Sequence, residues 1–388
     1  MKKLLILFFI AATSYLSAQQ PNFEWVRTFG DTQDEGGGKI CTDSQENIYM
    51  AISFRGTVDF DPSSGSQNLT SLGGTDICIT KIDSSGNLIW AKSIGGIGSD
   101  SPSSICLDAG GNLLISGQFS QTADFDPNGD VFSLISVGEL DVFMLKMDTS
   151  GNFVWAKSFG GIKGDHGQSC TTDDSCNVFV TGGFRRTVDF DPGPSTYALT
   201  AGTSVLAGSI YEQTDYYVSK FDSSGNFIWV KHMNVNVNLS NGNTWGGCSG
   251  QGICADDQGD IYITGGFYKT VDFDPGSGVF SITAPQYGAF IQKLEGNSGD
   301  LLWVKPIISN TPSTLGHDID VDNLGGIYVS GYFDGTADFD PGPGFQNLTS
   351  LGGADIFVLK LTSNTGDFIW AEKMGGTNEE RGGLSLCL

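Results

Sequence analysis

The sequence predicts an all-β fold: a β-propeller of four-stranded blades, with five complete repeats and a partial sixth. Three observations carry that expectation. A tryptophan returns at near-constant spacing, an Asp-Phe-Asp-Pro block stands midway between successive tryptophans, and short β-branched runs alternate with turn formers.

The tryptophans are Trp25, Trp90, Trp155, Trp229, Trp303 and Trp370, spaced by 65, 65, 74, 74 and 67 residues. They mark units at about 25–90, 90–155, 155–229, 229–303 and 303–370, with a partial unit over 370–388. The acidic blocks run Asp59–Pro62, Asp124–Pro127, Asp189–Pro192, Asp272–Pro275 and Asp338–Pro341.

Within a unit the first strand ends on an apolar residue and an Asp, as in Ile40-Cys41-Thr42-Asp43. A Gly- or Asn-bearing turn leads to a second, β-branched and aromatic strand such as Ile261-Tyr262-Ile263-Thr264-Gly265. The Thr-Val-Asp-Phe-Asp-Pro run reads as the third strand, ending at the Pro because it has no N–H for the ladder. A fourth, such as Asp76–Lys81, turns through Asp83-Ser84-Ser85-Gly86-Asn87 into the Trp-bearing segment. Repeated four-stranded units without helices are buried on both faces only when arranged radially. A β-solenoid needs a much shorter repeat.

Composition fits this frame. Gly (55) and Phe (26) are abundant and Lys plus Arg only 20, which suits short strands and tight turns rather than helices. Lys2-Lys3, the apolar run Leu4–Ala12 and the small residues Ser17-Ala18 have the layout of a secretory signal peptide over residues 1–18. Residues 19–388 then form a single propeller domain, secreted or at the outer cell surface, without membrane insertion and expected as a monomer. Losing Lys2 and Lys3 takes the formal charge from −24 to −26. So acidic a chain excludes nucleic acid as a partner, for lack of a basic patch, and suits divalent cations.

Eight cysteines are compatible with an oxidising compartment. Cys41, Cys106, Cys254 and Cys387 share one repeat position and read as small buried thiols, because equivalent positions of different blades are not normally adjacent. Cys248 and Cys254, six residues apart in the most irregular unit, are the best-placed pair for a disulfide.

The run Asp355–Lys360, then Gly366-Asp367-Phe368-Ile369-Trp370-Ala371 and Gly375-Gly376, resembles the bacterial SBBP-type β-propeller repeat. So does Lys146–Gly161, followed by Cys170–Asp173 and Asn177–Gly182. The resemblance covers essentially the whole chain after residue 18 and implies a secreted or surface-attached propeller, usually without an assigned activity. The Asp-Phe-Asp-Pro-Gly extension is similar to that of Bacteroidetes exoproteins.

At the two ends, Phe23–Val26 matches only the last strand of a unit, and Arg381–Leu388 only the first. The expectation is a truncated sequence, because a missing closing blade leaves exposed edges. Units three and four carry insertions at Tyr197–Gln213 and His232–Gly250, and His232 and Trp245 in the second are the candidate binding-loop residues.

No phosphate loop, zincin motif or nucleophile elbow is present, so no catalytic residue is assigned. The expected function is a non-catalytic binding scaffold for an extracellular glycan, protein or matrix partner. The alternative is a divergent propeller hydrolase or lyase with its site at the central mouth. The repeated polar feature is the carboxylate pair of each block: Asp59 and Asp61, Asp124 and Asp126, Asp189 and Asp191, Asp272 and Asp274, Asp338 and Asp340. On an extended strand these pairs would lie about 7 Å apart on one face. They either stay in solvent or need backbone N–H donors of the Pro-Gly turn, a neighbouring Thr or Arg, or a bound Ca²⁺ to offset their repulsion.

Overall fold

A computed structural model of the chain describes residues 25–30, 36, 38–206, 209–236, 247–309, 311, 313–381 and 385–386. The signal-peptide segment, Trp245 and Cys387 lie outside the described residues.

Among the described residues, five four-stranded antiparallel sheets follow one another, each a simple meander. Blade 1 is Lys39–Thr42, Ile48–Phe54, Asp76–Ile82 and Leu88–Gly96; blade 2 is Ser101–Leu107, Asn112–Phe119, Asp141–Asp148 and Phe153–Gly161. Blade 3 is His166–Thr172, Val178–Phe184, Asp215–Phe221 and Phe227–Asn236. Blade 4 is Gly247–Ala255, Ile261–Asp272, Ser281–Leu294 and Leu301–Ser309; blade 5 is Thr314–Val321, Gly326–Phe333, Asp355–Thr362 and Phe368–Met374. The first strands of all five blades line one central cavity, so the sheets stand radially about a common axis. The protein is a β-propeller.

Radial stacking explains why the middle strands read as unbroken apolar runs. Every residue of Val178–Phe184 and of Asp215–Phe221 is buried, because each sheet packs on both faces. One apolar cluster lies in each joint: blades 1 and 2 around Ile79 and Phe143, blades 2 and 3 around Met144 and Tyr217, blades 3 and 4 around Tyr216 and Phe290, blades 4 and 5 around Ile291 and Phe357. The far face of blade 1 is closed by Phe29, which reaches Phe60 at 6.0 Å between ring centroids.

The strand order differs from the sequence reading at one point. The Thr-Val-Asp-Phe-Asp-Pro run is not the third strand of its sheet. Its first residues form a three-residue strand, such as Thr122–Asp124, of a small hairpin inserted between the second and third strands. The third blade strand is Asp76–Ile82 and its equivalents, and the Trp-bearing strand is the fourth and outermost. The small hairpin pairs with the preceding blade: Gly95 and Gly96 of blade 1 face Asp124 and Ala123. Gly160 and Gly161 of blade 2 face Asp189 and Val188, and Ile308 and Ser309 of blade 4 face Asp338 and Ala337. In blade 4 the hairpin is continuous with its long second and third strands and pairs with Asn234–Asn236. The blocks of blades 2 to 5 are therefore stitches between blades, whereas in blade 1 Thr57–Asp59 pairs only with Asn68–Thr70.

Candidate binding surfaces and central channel

The strand that enters each block ends at its first Asp, and backbone N–H groups take up both carboxylates of the block. Asp59 Oδ1 accepts the N–H groups of Asp61 (3.1 Å) and Gln67 (2.7 Å), and these hold its carboxyl below the usual range. Asp124, Asp189, Asp272 and Asp338 accept the same two kinds of N–H. The second carboxylates, Asp61, Asp126, Asp191, Asp274 and Asp340, each accept a backbone N–H two residues on at 2.8–2.9 Å. Backbone donors are among the kinds of compensation weighed above. Between the carboxylates, Phe60, Phe125, Phe190, Phe273 and Phe339 are buried to within 1%. Each meets the last Phe of its own second strand edge-on at 5.1–5.4 Å.

The tryptophans make a second interlock between blades. Trp90 Nε1 donates to Thr149 O of the next blade at 3.3 Å, Trp155 to Ser223 O at 3.2 Å, Trp229 to Asn297 O at 2.9 Å and Trp303 to Ser363 O at 3.2 Å. Trp25 does the same to Ser84 O of blade 1 at 3.0 Å. The ring lies against the hairpin glycine of that next blade, Gly151 for Trp90, whose φ of +84° favours Gly in any case. These rings are packing elements.

A third repeated device went unread in the sequence. The third-strand lysines Lys81, Lys146, Lys220, Lys293 and Lys360 reach back to Asp43, Asp108, Asp173, Asp256 and Asp322 of the first hairpin, at 3.9, 2.6, 3.6, 3.5 and 3.1 Å. In four blades the ammonium also sits over a second-strand ring, Tyr49, Phe179, Tyr262 or Tyr328, 4.3–5.0 Å from its centroid. The signal was legible: a lysine stands one or two residues before the end of every third strand.

His232, read as a loop residue, is on the outer strand of blade 3. Its Nε2 lies 2.6 Å from Asp215 Oδ2 and its ring meets Phe184 edge-on at 5.2 Å. Cys248 and Cys254 are both free and stand on the single strand Gly247–Ala255. Six residues of extended backbone separate them by roughly 20 Å, far beyond disulfide reach, which corrects the expected bridge.

The central cavity holds about 490 Å³. Cys41, Cys106, Cys170 and Cys254 line it from four blades, and Asp318 and Asp320 from the fifth. Cys170 reaches across the joint, its Sγ 3.9 Å from Leu114 O of blade 2. Cys170 sits one position earlier on its strand than Cys106. Lys39 Nζ lies 4.0 Å from Asp318 Oδ2, which also accepts the Leu386 N–H at 2.8 Å. The described lining contains no His and no Glu.

On the outside, one register position is apolar in every blade. Ile89, Val154, Ile228, Leu302 and Ile369 each precede the tryptophan on the outer strand and are 44–51% exposed. Nearby hairpin tips carry Val131, Val279 and Phe345, all more than three-quarters exposed.

No family model matches the chain. It is 26% identical over 235 residues to an uncharacterized WD repeat-containing protein of Acanthamoeba polyphaga mimivirus, a match covering 53% of this chain and 16% of that protein. It is 23% identical over 188 residues to the regulatory protein FlaEY of Caulobacter vibrioides, covering 48% of this chain and 18% of that one. The chain thus spans less than a fifth of either relative. A solved protein of unknown function from Bacteroides caccae aligns over 76% of this chain and 90% of its own, with a TM-score of 0.30 and 10% identity. Quinohemoprotein alcohol dehydrogenase from Comamonas testosteroni aligns over 91% and 69%, with a TM-score of 0.38 and 9% identity.

Proposed function

We propose that the chain is a secreted or cell-surface binding scaffold, without catalysis of its own, whose partner is an extracellular glycan or protein. The observation that carries this reading is the apolar belt formed by Ile89, Val154, Ile228, Leu302 and Ile369. Single exposed apolar residues are ordinary on any surface, whereas one position repeated around a rim makes an extended contact surface. Each belt residue lies on the outermost strand of its blade, where a partner strand or a sugar face gains access. The net charge of −24 selects for neutral or basic partners.

The test uses the chain from residue 19 on a glycan array and against extracellular protein fractions, followed by affinity measurement on whatever is retained. Val154→Glu with Ile228→Glu should weaken binding at least tenfold with the melting temperature unchanged. Retention of no glycan and no protein, or full affinity in the double variant, would refute the belt as the binding surface.

A further inference from the structure

Blade 4 departs from the repeat at one place. In the other blades the last Phe of the second strand faces a buried Asp that opens the third. Phe54 faces Asp76, Phe119 faces Asp141, Phe184 faces Asp215 and Phe333 faces Asp355, each Asp at most 1% exposed. Oδ2 of each Asp accepts a backbone N–H from the turn before it, from Leu72, Val137, Gly202 or Leu351. In blade 4, Phe267 faces Gly288 instead. A Cβ there would fall 3.0 Å from Phe267 Cε1 and 3.2 Å from Ala284 Cβ, so an Asp would displace both.

The turn that the Asp holds is gone as well. Ile261–Asp272 and Ser281–Leu294 stay paired past this point, through a bulge where the register shifts between Tyr268 and Lys269. Bulges re-aim side chains and are frequent beside functional sites. This one gathers three changes.

Tyr268 and Tyr287 face each other across the two strands and stack, with ring centroids 5.0 Å apart and planes 20° apart. The corresponding residues, one past the Phe and one before the Asp, are Arg55 and Thr75 in blade 1 and Arg185 and Thr214 in blade 3. Blades 2 and 5 likewise carry no ring at either position. Tyr268 is 7% exposed and Tyr287 45%, so the inner ring backs the outer one, and the outer one meets solvent. Lys269, next in sequence, is left-handed at φ +73°, where blades 1 and 5 use Gly56 and Gly335. Its ammonium lies 4.9 Å from the Tyr268 centroid, whereas Arg186, at the same position in blade 3, pairs with Glu212. Pro285 and Gln286, which the bulge leaves unpaired, are exposed beside Tyr287. A cross-strand aromatic pair stabilises a hairpin, but that role needs neither a lysine in left-handed backbone nor half of a ring left in water.

We infer that Tyr287 is the platform of a carbohydrate subsite on blade 4 that takes a neutral pyranose. The C–H bonds on one side of a pyranose form an apolar face that lies flat on the electron-rich face of an aromatic ring, and Tyr268 behind fixes the plane of that ring. The sugar's hydroxyl rim is served by the Lys269 ammonium and the Gln286 amide. The net charge of −24 selects against anionic sugars. The inference rests on the scaffold reading for its class of ligand, but not on the apolar belt.

The experiment titrates the chain from residue 19 with neutral hexasaccharides of β-linked glucose, xylose and mannose, and with a uronic-acid hexamer, by calorimetry and saturation-transfer NMR. At least one neutral hexasaccharide binds, with a Kd of about 0.1–1 mM. Tyr287→Ala weakens that binding at least about tenfold, whereas Tyr287→Phe stays within about twofold of the wild type. Lys269→Gly weakens it at least about threefold yet melts at the wild-type temperature or above, because Gly is the residue that blades 1 and 5 use there. Val154→Glu with Ile228→Glu leaves it unchanged, which separates this subsite from the belt. The inference falls if no neutral hexasaccharide binds at about 10 mM, if only the uronic-acid hexamer binds, if Tyr287→Ala binds as the wild type does, or if Tyr287→Phe loses as much as Tyr287→Ala. In any of these cases a protein partner held by the belt would leave the scaffold reading standing.

Discussion

Phe190→Ala tests whether the Asp-Phe-Asp-Pro block is a stitch between blades. Phe190 is fully buried and touches three aromatic rings: Phe159 at 5.2 Å, Phe184 at 5.2 Å and Tyr217 at 5.0 Å. Truncating a buried Phe costs about 3–5 kcal/mol, and aromatic pairs contribute roughly 0.5–1.5 kcal/mol each beyond their area. With three such pairs the loss belongs at the upper end, about 4–5 kcal/mol. That is a large share of the roughly 5–15 kcal/mol that holds a typical domain folded. Urea unfolding followed by tryptophan fluorescence reads the total. Amide hydrogen exchange reads the location: Gly160, Gly161, Val188 and Asp189, whose strands pair across the joint between blades 2 and 3, should lose protection first. Asp191→Asn keeps the oxygen that accepts the Gly193 N–H and should cost no more than about 0.5 kcal/mol. A cost for Phe190→Ala below about 1.5 kcal/mol, or deprotection spread evenly over all five blades, would refute the stitch.

Three further outcomes are expected. Lys146→Met should destabilise the fold by about 3–5 kcal/mol, because it strands Asp108, whose side chain is 1% exposed, and Asp108→Asn in the same chain should recover part of that loss in a double-mutant cycle. The exposed Lys163–Glu139 pair serves as the comparison and should matter by less than about 1 kcal/mol. Gly111→Ala, where φ is +75° and nothing stands within 4 Å, should cost about 1 kcal/mol; Gly151→Ala, which also meets Trp90 at 3.4 Å, should cost more and shift tryptophan emission. For acid stability, burial pushes the Asp43 carboxyl up, but hydrogen bonds from Asn47, Tyr49 and Gln45 outweigh it and hold the group at about 2. Asp108 and Asp322 are lowered likewise. Their contribution is complete above the unfolded value of 3.8 and is lost as the pH falls through the folded value, so melting temperature should drop between about pH 4 and pH 2, and less steeply in Asp43→Asn.

The sequence made the architecture legible because a propeller repeats its local chemistry. Gly86 and its equivalents mark the hairpins, and the runs around Phe179 and Tyr217 are apolar on both faces, as only a doubly covered sheet requires. What stayed hidden was which element pairs with which. Thr57–Asp59 has the composition of a blade strand, but it is three residues long and its kind pairs with the preceding blade, a choice made by contacts across a whole repeat. The buried charges were hidden for a similar reason. Asp76 and Asp141 stand at strand starts, where an Asp ordinarily marks a solvated turn. Only strand pairing shows that His232 and Lys373 stand at one register of the outer strand, beside Asp215 and Asp355.

The backward-reaching hairpin has a consequence in time. The outer strands of blades 1 to 4 gain their last ladder bonds from a segment made one blade later, so each of these blades emerging from synthesis waits for its successor before its edge is covered. At roughly 5–20 residues per second, a repeat of 65 residues takes roughly 3–13 s to appear. The folding front therefore trails the growing chain by one blade, and at each moment only the newest outer edge is open to a wrong partner.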